Sequence, residues 1–157
     1  MLILASASPR RARILESLGL KFKIRPADID ETVLPGEAPQ AAVRRLALSK
    51  ARVPPRKPHD CVIAADTLVV LGSRILGKPG SRAEARSMLR DLSGRAHAVV
   101  TGVAVAWEGR VASVVDLTEV RFRKMSAAEI ERYVRTGEPM DKAGAYHVEG
   151  GGAAFIE

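Results

Sequence analysis

The chain has 157 residues, 46% of them hydrophobic and 27% charged, which suits one folded domain with its own core and argues against disorder. Its 25 Lys and Arg against 18 Asp and Glu give a formal charge of +7 and favour a polyanionic partner, while only 4% aromatic residues weigh against stacking of single-stranded bases. One cysteine excludes an internal disulfide and a cysteine-based zinc cluster, and no window nears the ~20 apolar residues of a membrane span, so a soluble cytoplasmic protein is expected.

Leu2-Ile3-Leu4-Ala5 reads as a short apolar strand. Ser8 suits an N-cap and Pro9 the first helical position, and Ala12 to Leu18 carries the helix to Gly19. Arg10 and Arg11 therefore fall in the first turn, where the helix dipole makes each cation cost roughly 0.3–1 kcal/mol unless an anion is near. A bound phosphate would remove that conflict, and so would bending of the long side chains into water.

Lys21 to Arg25 alternates as a half-exposed strand with Phe22 and Ile24 inward. The loop Asp28-Ile29-Asp30-Glu31-Thr32 sets acidic groups on a basic chain, where they suit a divalent cation, the arginines or simply solvent. Pro39 to Arg52 reads as a helix whose stripe is Val43, Leu46, Ala47 and Ala51. Lys50 lies on that stripe, so its ammonium either snorkels to water or points from a packed face into a cleft.

The run Pro54-Pro55-Arg56-Lys57-Pro58 reads as an exposed connection. Cys61 to Leu71 is the near-continuous apolar run of a strand buried on both faces, with Cys61 as buried filler. Asp66 interrupts it; a carboxylate there is costly unless paired, metal-bound or open to a polar site, which favours a site residue. Gly72-Ser73 turns the chain into Arg74 to Leu76, and Lys78 follows between Gly77 and Pro79-Gly80.

Ser81 with Glu84 reads as a capping box opening a helix with the stripe Ala85, Met88, Leu89 and Leu92, closed by Ser93-Gly94. Ala96 to Trp107 and Val111 to Phe122 are long β segments joined at Glu108-Gly109. Ser126 with Glu129 is a second capping box, opening a helix lined by Ile130, Tyr133 and Val134 that Gly137 stops. The loop from Glu138 to Tyr146 then offers an acid, a base and a phenol in Asp141, Lys142 and Tyr146. No P-loop, dinucleotide fingerprint, HExxH or GxSxG motif occurs, and His59, His97 and His147 lack ligand spacing and are treated as structural.

In this order, Ser6-Ala7-Ser8-Pro9-Arg10-Arg11, Asp30-Glu31-Thr32, Lys50, Ala65-Asp66-Thr67, Gly77-Lys78-Pro79, Leu92-Ser93-Gly94, Thr101-Gly102 and Asp141-Lys142-Ala143-Gly144-Ala145-Tyr146 resemble the Maf family along nearly the whole chain. The resemblance implies a single 1–157 domain with an α/β, Maf/ITPase-like fold, in which a mixed twisted sheet lies between two lobes around a central cleft. It implies a nucleoside triphosphate pyrophosphatase that cleaves between the α and β phosphates and needs a divalent cation such as Mg²⁺, Mn²⁺ or Co²⁺. On these motifs Asp66, Lys78 and Glu31 are expected to be catalytic, with Glu31 and Asp66 holding the metal. Ser8, Arg10, Arg11, Lys50, Thr67, Asp141, Lys142 and Glu149 are expected to bind substrate. Physically, a triphosphate of about four negative charges suits several cations beside a helix N-terminus. Whether Asp66 binds metal, accepts the water's proton or does both stays open on sequence.

The pair Asp66-Thr67 resembles the subgroup acting on dTTP and UTP, whereas the 7-methyl-GTP subgroup has Asp-Gln. The family's Tyr-Gly-Ile-Gln-Gly segment stands here as Tyr146-His147-Val148-Glu149-Gly150. An ionised Glu149 only accepts hydrogen bonds, so it can take the N3–H of thymine or uracil but not bond to their carbonyls. Family members continue past Ala153-Ala154-Phe155-Ile156-Glu157, so exposed apolar surface, lower stability or reliance on a second copy of the chain is expected. The rival reading is a nucleic-acid-binding or septum-formation module without turnover, for which Asp66 and the acidic loop would be repulsive.

Overall fold

A computed structural model describes residues 1–54 and 57–157, and the Pro54 to Pro58 connection expected from sequence lies partly outside the described residues. Among them the chain forms β1 (Leu2–Leu4), α1 (Pro9–Ser17), β2 (Phe22–Ile24), α2 (Pro39–Arg52), β3 (Cys61–Leu71), β4 (Arg74–Leu76), α3 (Arg82–Leu92), β5 (Ala96–Trp107), β6 (Arg110–Arg121) and α4 (Ala127–Arg135). The fold is mixed α/β. The six-stranded sheet runs β2-β1-β3-β5-β6, with β4 added to β3. β1 is parallel to both β2 and β3, with Leu2 opposite Phe22 and Cys61, and β4 is antiparallel to β3.

Local sequence explains most of the boundaries. The Ser8 hydroxyl accepts from the Arg11 amide at 3.5 Å and Pro9 occupies the first turn of α1. At the other end Gly19 donates to the Glu16 carbonyl at 2.9 Å and Leu20 to Leu15 at 3.1 Å, a reciprocal pair that closes the helix. Glu108 and Gly109 both have positive φ, 46° and 77°, as the two-residue turn matching strand twist requires. The Ser126–Glu129 capping box is complete, each residue's side chain accepting from the other's amide. Ser81 caps α3 likewise, but the Glu84 carboxylate reaches one residue further back, to the Gly80 amide at 2.7 Å, so the expected box is only half made.

Other expectations shift in detail. Ile24 is 54% exposed instead of inward, because Ala12 and Leu15 of α1 cover only Phe22 on this outer, three-residue strand. Cys61 is half-buried, being the first residue of β3. The loop after Gly137 is not irregular but takes 3-10 turns at Glu138–Asp141 and Ala143–Ala145, with another at Gly151–Phe155. Among the described residues, no helix is long and apolar enough to cross a membrane.

The chain divides into two compact units. The first comprises Met1–Asp66 and Thr101–Asp116. Its core is rich in alanine, with Ala47 and Ala51 of α2 against Ala64 of β3 and Ala104 and Ala106 of β5. Small side chains let helix and strand approach closely, and at Gly102 an added Cβ would stand 2.4 Å from the Val43 carbonyl oxygen. The second unit comprises Thr67–Val100 and Leu117–Glu157. There Leu89 and Leu92 of α3 and Ile130 and Val134 of α4 enclose an aromatic group in which the Phe122 ring meets Tyr146 edge-on at 4.7 Å.

Candidate functional site

The two arginines of the Ser-Pro-Arg-Arg stretch have different fates. Arg11 turns back from α1: one guanidinium nitrogen donates to Ser6 Oγ at 3.2 Å and to the Ala65 carbonyl at 2.8 Å. Ser6 is itself buried and also accepts from the Ser8 amide at 3.2 Å, so the stretch folds back onto β3 one residue before Asp66. Burial lowers the Arg11 pKa, and the nearby Asp66 carboxylate opposes that shift. The side chain of Arg10, a half-buried residue, makes no hydrogen bond or ion pair among the described residues.

Lys50 does not snorkel. It is 7% exposed, and its Nζ lies 2.6 Å from Asp66 Oδ1 and 2.8 Å from Glu31 Oε1. The carboxylate in the middle of β3 is thus compensated by an ammonium delivered from the packed face of α2. Glu31 reaches this point because its loop is pinned to the same helix. Arg45 of α2 grips the Glu37 carboxylate with Nε and Nη2, each at 2.7 Å, and donates to the Thr32 carbonyl at 3.0 Å. Glu37 also accepts from the Leu34 amide, and Asp30 from the Thr32 amide and hydroxyl. The hydrogen bond from Arg45 holds the Glu37 carboxyl down to about 2. The acidic stretch is therefore an ordered loop carrying Glu31.

Glu31 and Asp66 converge on one cationic centre, and among the described residues no group of three His, Cys, Asp or Glu gathers as a metal cluster. Two carboxylates completed by phosphate oxygens and water are a common donor set for Mg²⁺, so these residues fit such an ion.

The remaining candidates lie in the second unit. Thr67 is half-buried in β3 and Lys78 is exposed after β4. The Gly144 amide donates to the Gly77 carbonyl at 3.1 Å, which ties the Lys78 segment to the Asp141-to-Tyr146 segment. Gly144 has φ 71°, and a Cβ there would meet Val69 at 2.9 Å, so both conformation and space demand glycine. Asp141 accepts from Lys142 Nζ at 2.6 Å, which lowers the Asp141 pKa, with a smaller contribution from the Lys78 charge. Tyr146 offers no exposed phenol beside them: it is buried, with Oη 2.8 Å from His97 Nε2. Glu149 sits on an exposed turn whose flanks are held by Tyr133 Oη, accepting from the His147 amide at 3.0 Å, and by Glu138, accepting from the Gly151 amide at 3.3 Å.

The structure thus gathers Arg11, Lys50, Glu31 and Asp66 in the first unit, beside the helix start that Ser8 and Arg10 occupy, and links Lys78, Asp141 and Lys142 in the second. Three contributors escaped the sequence reading: Ser6 as the Arg11 acceptor, the Arg45–Glu37 clamp and the His97–Tyr146 pair. Only Ser6 carried a signal, by its place in the first motif.

The family profile described as Maf-like protein matches residues 1–157. A dTTP/UTP pyrophosphatase of Anaeromyxobacter dehalogenans is 53% identical over 99% of this chain and 81% of its own length. Proteins of the same name from Aquifex aeolicus and Pasteurella multocida are 48% and 45% identical, over 99% and 98% of this chain and 82% of their own lengths. Among solved structures, a HAM1 protein from Coxiella burnetii has a TM-score of 0.52 at 20% identity, covering 79% of this chain and 73% of that one. The Staphylococcus aureus Ham1 protein has a TM-score of 0.50 at 13% identity, covering 77% and 71%, and both likenesses concern the fold alone. With Asp66 flanked by Ala65 and Thr67, the Ser-Pro-Arg-Arg stretch turned onto β3, and a family match along its full length, this chain belongs to the Maf-like protein family.

Proposed function

We propose that this chain is a cytoplasmic, divalent-cation-dependent pyrophosphatase that hydrolyses dTTP and UTP to the monophosphate and pyrophosphate. The observation that carries the reading is the buried Lys50–Asp66 pair, joined by the exposed Glu31 carboxylate beside Arg11, since buried charges are costly without a task. The 45–53% identity to proteins named dTTP/UTP pyrophosphatases supports the substrate class.

Hydrolysis requires water to attack phosphorus, the bridging P–O bond to break and the water's proton to leave. Lys50 engages Asp66 Oδ1, leaving Oδ2 to accept that proton. Glu31 and Asp66 would hold Mg²⁺, Mn²⁺ or Co²⁺, which when bound supplies Lewis-acid polarisation of a phosphoryl oxygen. Arg10, Arg11 and the α1 N-terminus capped by Ser8 would receive phosphate charge, relieving the cations at that helix end. Thr67, Lys78, Asp141, Lys142 and Glu149 are assigned as a catalytic lysine and substrate contacts on the family motifs, Glu149 accepting the pyrimidine N3–H. Nucleic-acid binding without turnover is the poorer reading, since Asp66 and Glu31 would repel a phosphate backbone.

A panel of nucleoside triphosphates with Mg²⁺ or Mn²⁺, followed for pyrophosphate and orthophosphate, tests the proposal. Pyrophosphate from dTTP and UTP that disappears in Asp66→Asn is expected. Orthophosphate alone, or salt-sensitive DNA binding without turnover, would overturn it.

A further inference from the structure

The cation position between Asp66 and Glu31 is filled by the protein's own ammonium, which lies within 2.8 Å of an oxygen of each. Resting on the function proposed above, we propose that Lys50 is a built-in competitor for that position, so that a divalent cation enters the site together with its nucleotide and not ahead of it.

Charge, geometry and mobility all bear on this. The two carboxylates are balanced by Lys50 and by Arg11, whose guanidinium interacts electrostatically with both Asp66 and Glu31. Their formal charges cancel, so a free divalent cation gains little by approaching and must first displace an ammonium held by a charge-assisted hydrogen bond to Asp66 and an ion pair with Glu31. A nucleoside triphosphate brings about four negative charges, and it offers Lys50 and Arg11 new partners as it brings its own cation to the carboxylates. The exchange needs no backbone motion. α2 is locked against the sheet, where Gly102 touches the Val43 carbonyl, but the Lys50 stem has four rotatable bonds and can withdraw its head while the helix stays fixed. Glu31, on a loop pinned by Arg45, has an exposed side chain and can follow either cation. Lys50 would thus serve two roles in sequence, guarding the carboxylates in the free protein and binding phosphate in the loaded one.

The test is Mn²⁺ binding to nucleotide-free protein, read by loss of the free-ion electron paramagnetic resonance signal. Wild type is expected to bind weakly. Lys50→Met, which removes the ammonium from between the two carboxylates and leaves an apolar side chain one atom shorter, is expected to bind about tenfold tighter or more. Adding Asp66→Asn to Lys50→Met should abolish the gain, locating it at this pair. Equal affinity of wild type and Lys50→Met, or a gain that survives Asp66→Asn, would overturn the proposal. If Lys50→Met does not fold, wild type decides: MnCl₂ alone should leave its Tm unmoved while MnCl₂ with a non-hydrolysable UTP analogue raises it. An equal rise with MnCl₂ alone would overturn the proposal. None of these readouts depends on turnover, so a failure of the pyrophosphatase reading shows separately, in the pyrophosphate assay.

Discussion

Lys50 and Asp66 form an ion pair at 2.6 Å in which both residues are more than nine-tenths buried, one from the packed face of a helix and the other from the middle of a strand. Removing Asp66 leaves the buried Lys50 ammonium with only the exposed Glu31 carboxylate beside it. Asp66→Ala is therefore expected to cost about 3–5 kcal/mol of stability in urea titrations, whereas Glu31→Ala, which removes an exposed partner of the same lysine, should cost no more than about 1 kcal/mol. Equal costs would mean that the lysine, and not the strand carboxylate, sets the energetics.

The Arg45–Glu37 clamp makes a local prediction. Arg45→Ala removes two bonds to Glu37 and one to the Thr32 carbonyl, so amide exchange across residues 30–37 should quicken severalfold with little change in global Tm. The same clamp should persist in mild acid. Glu37 stays ionised to about pH 2, so its contribution is fully present above its ordinary pKa of 4.5 and lost only as pH falls towards 2.

Burial lowers the pKa of His97, whose Nε2 meets the Tyr146 hydroxyl. Below about pH 6.5 the unfolded chain takes up a proton that the folded imidazole resists, so stability falls as pH drops from 6.5 towards the folded value. His97→Gln keeps a polar partner for Tyr146 but does not titrate. It should flatten the decline in Tm between pH 7 and pH 5, and an unchanged slope would remove His97 from the account.

Gly102→Ala should act through the backbone. The new methyl would stand 2.4 Å from the Val43 carbonyl oxygen, so α2 must shift, at a cost of about 1–3 kcal/mol or more. Because α2 also carries Lys50, the variant should lose turnover beyond what its stability predicts, measured well below its own Tm.

Much of the fold was legible because its signals are local. Ser8-Pro9, Ser126 with Glu129, Glu108-Gly109 and the apolar run of β3 each announce an element through backbone chemistry within a few residues. Ile24 misled because alternation names a face without telling whether anything covers it, and here α1 does not. Within the site, Lys50 and Asp66 stood out because charges on apolar stripes conflict with their surroundings, and that conflict is visible in the sequence alone. Their pairing was not, since it spans 16 residues and depends on how α2 packs on the sheet. Arg45–Glu37 and His97–Tyr146 join residues 8 and 49 positions apart whose separate contexts look ordinary, so no pattern of charge or period marked them. Tyr146 shows the converse: a phenol set beside an acid and a base in sequence turns into the core.

The most direct test of the central claim is pyrophosphate release from dTTP and UTP with Mg²⁺ by wild type and by Asp66→Asn, at a temperature where both are folded. Wild type is expected to give stoichiometric monophosphate and pyrophosphate, and Asp66→Asn to lose at least about a hundredfold in rate, the scale of a general-base contribution. Unimpaired turnover in Asp66→Asn, or orthophosphate as the released product, would contradict that claim.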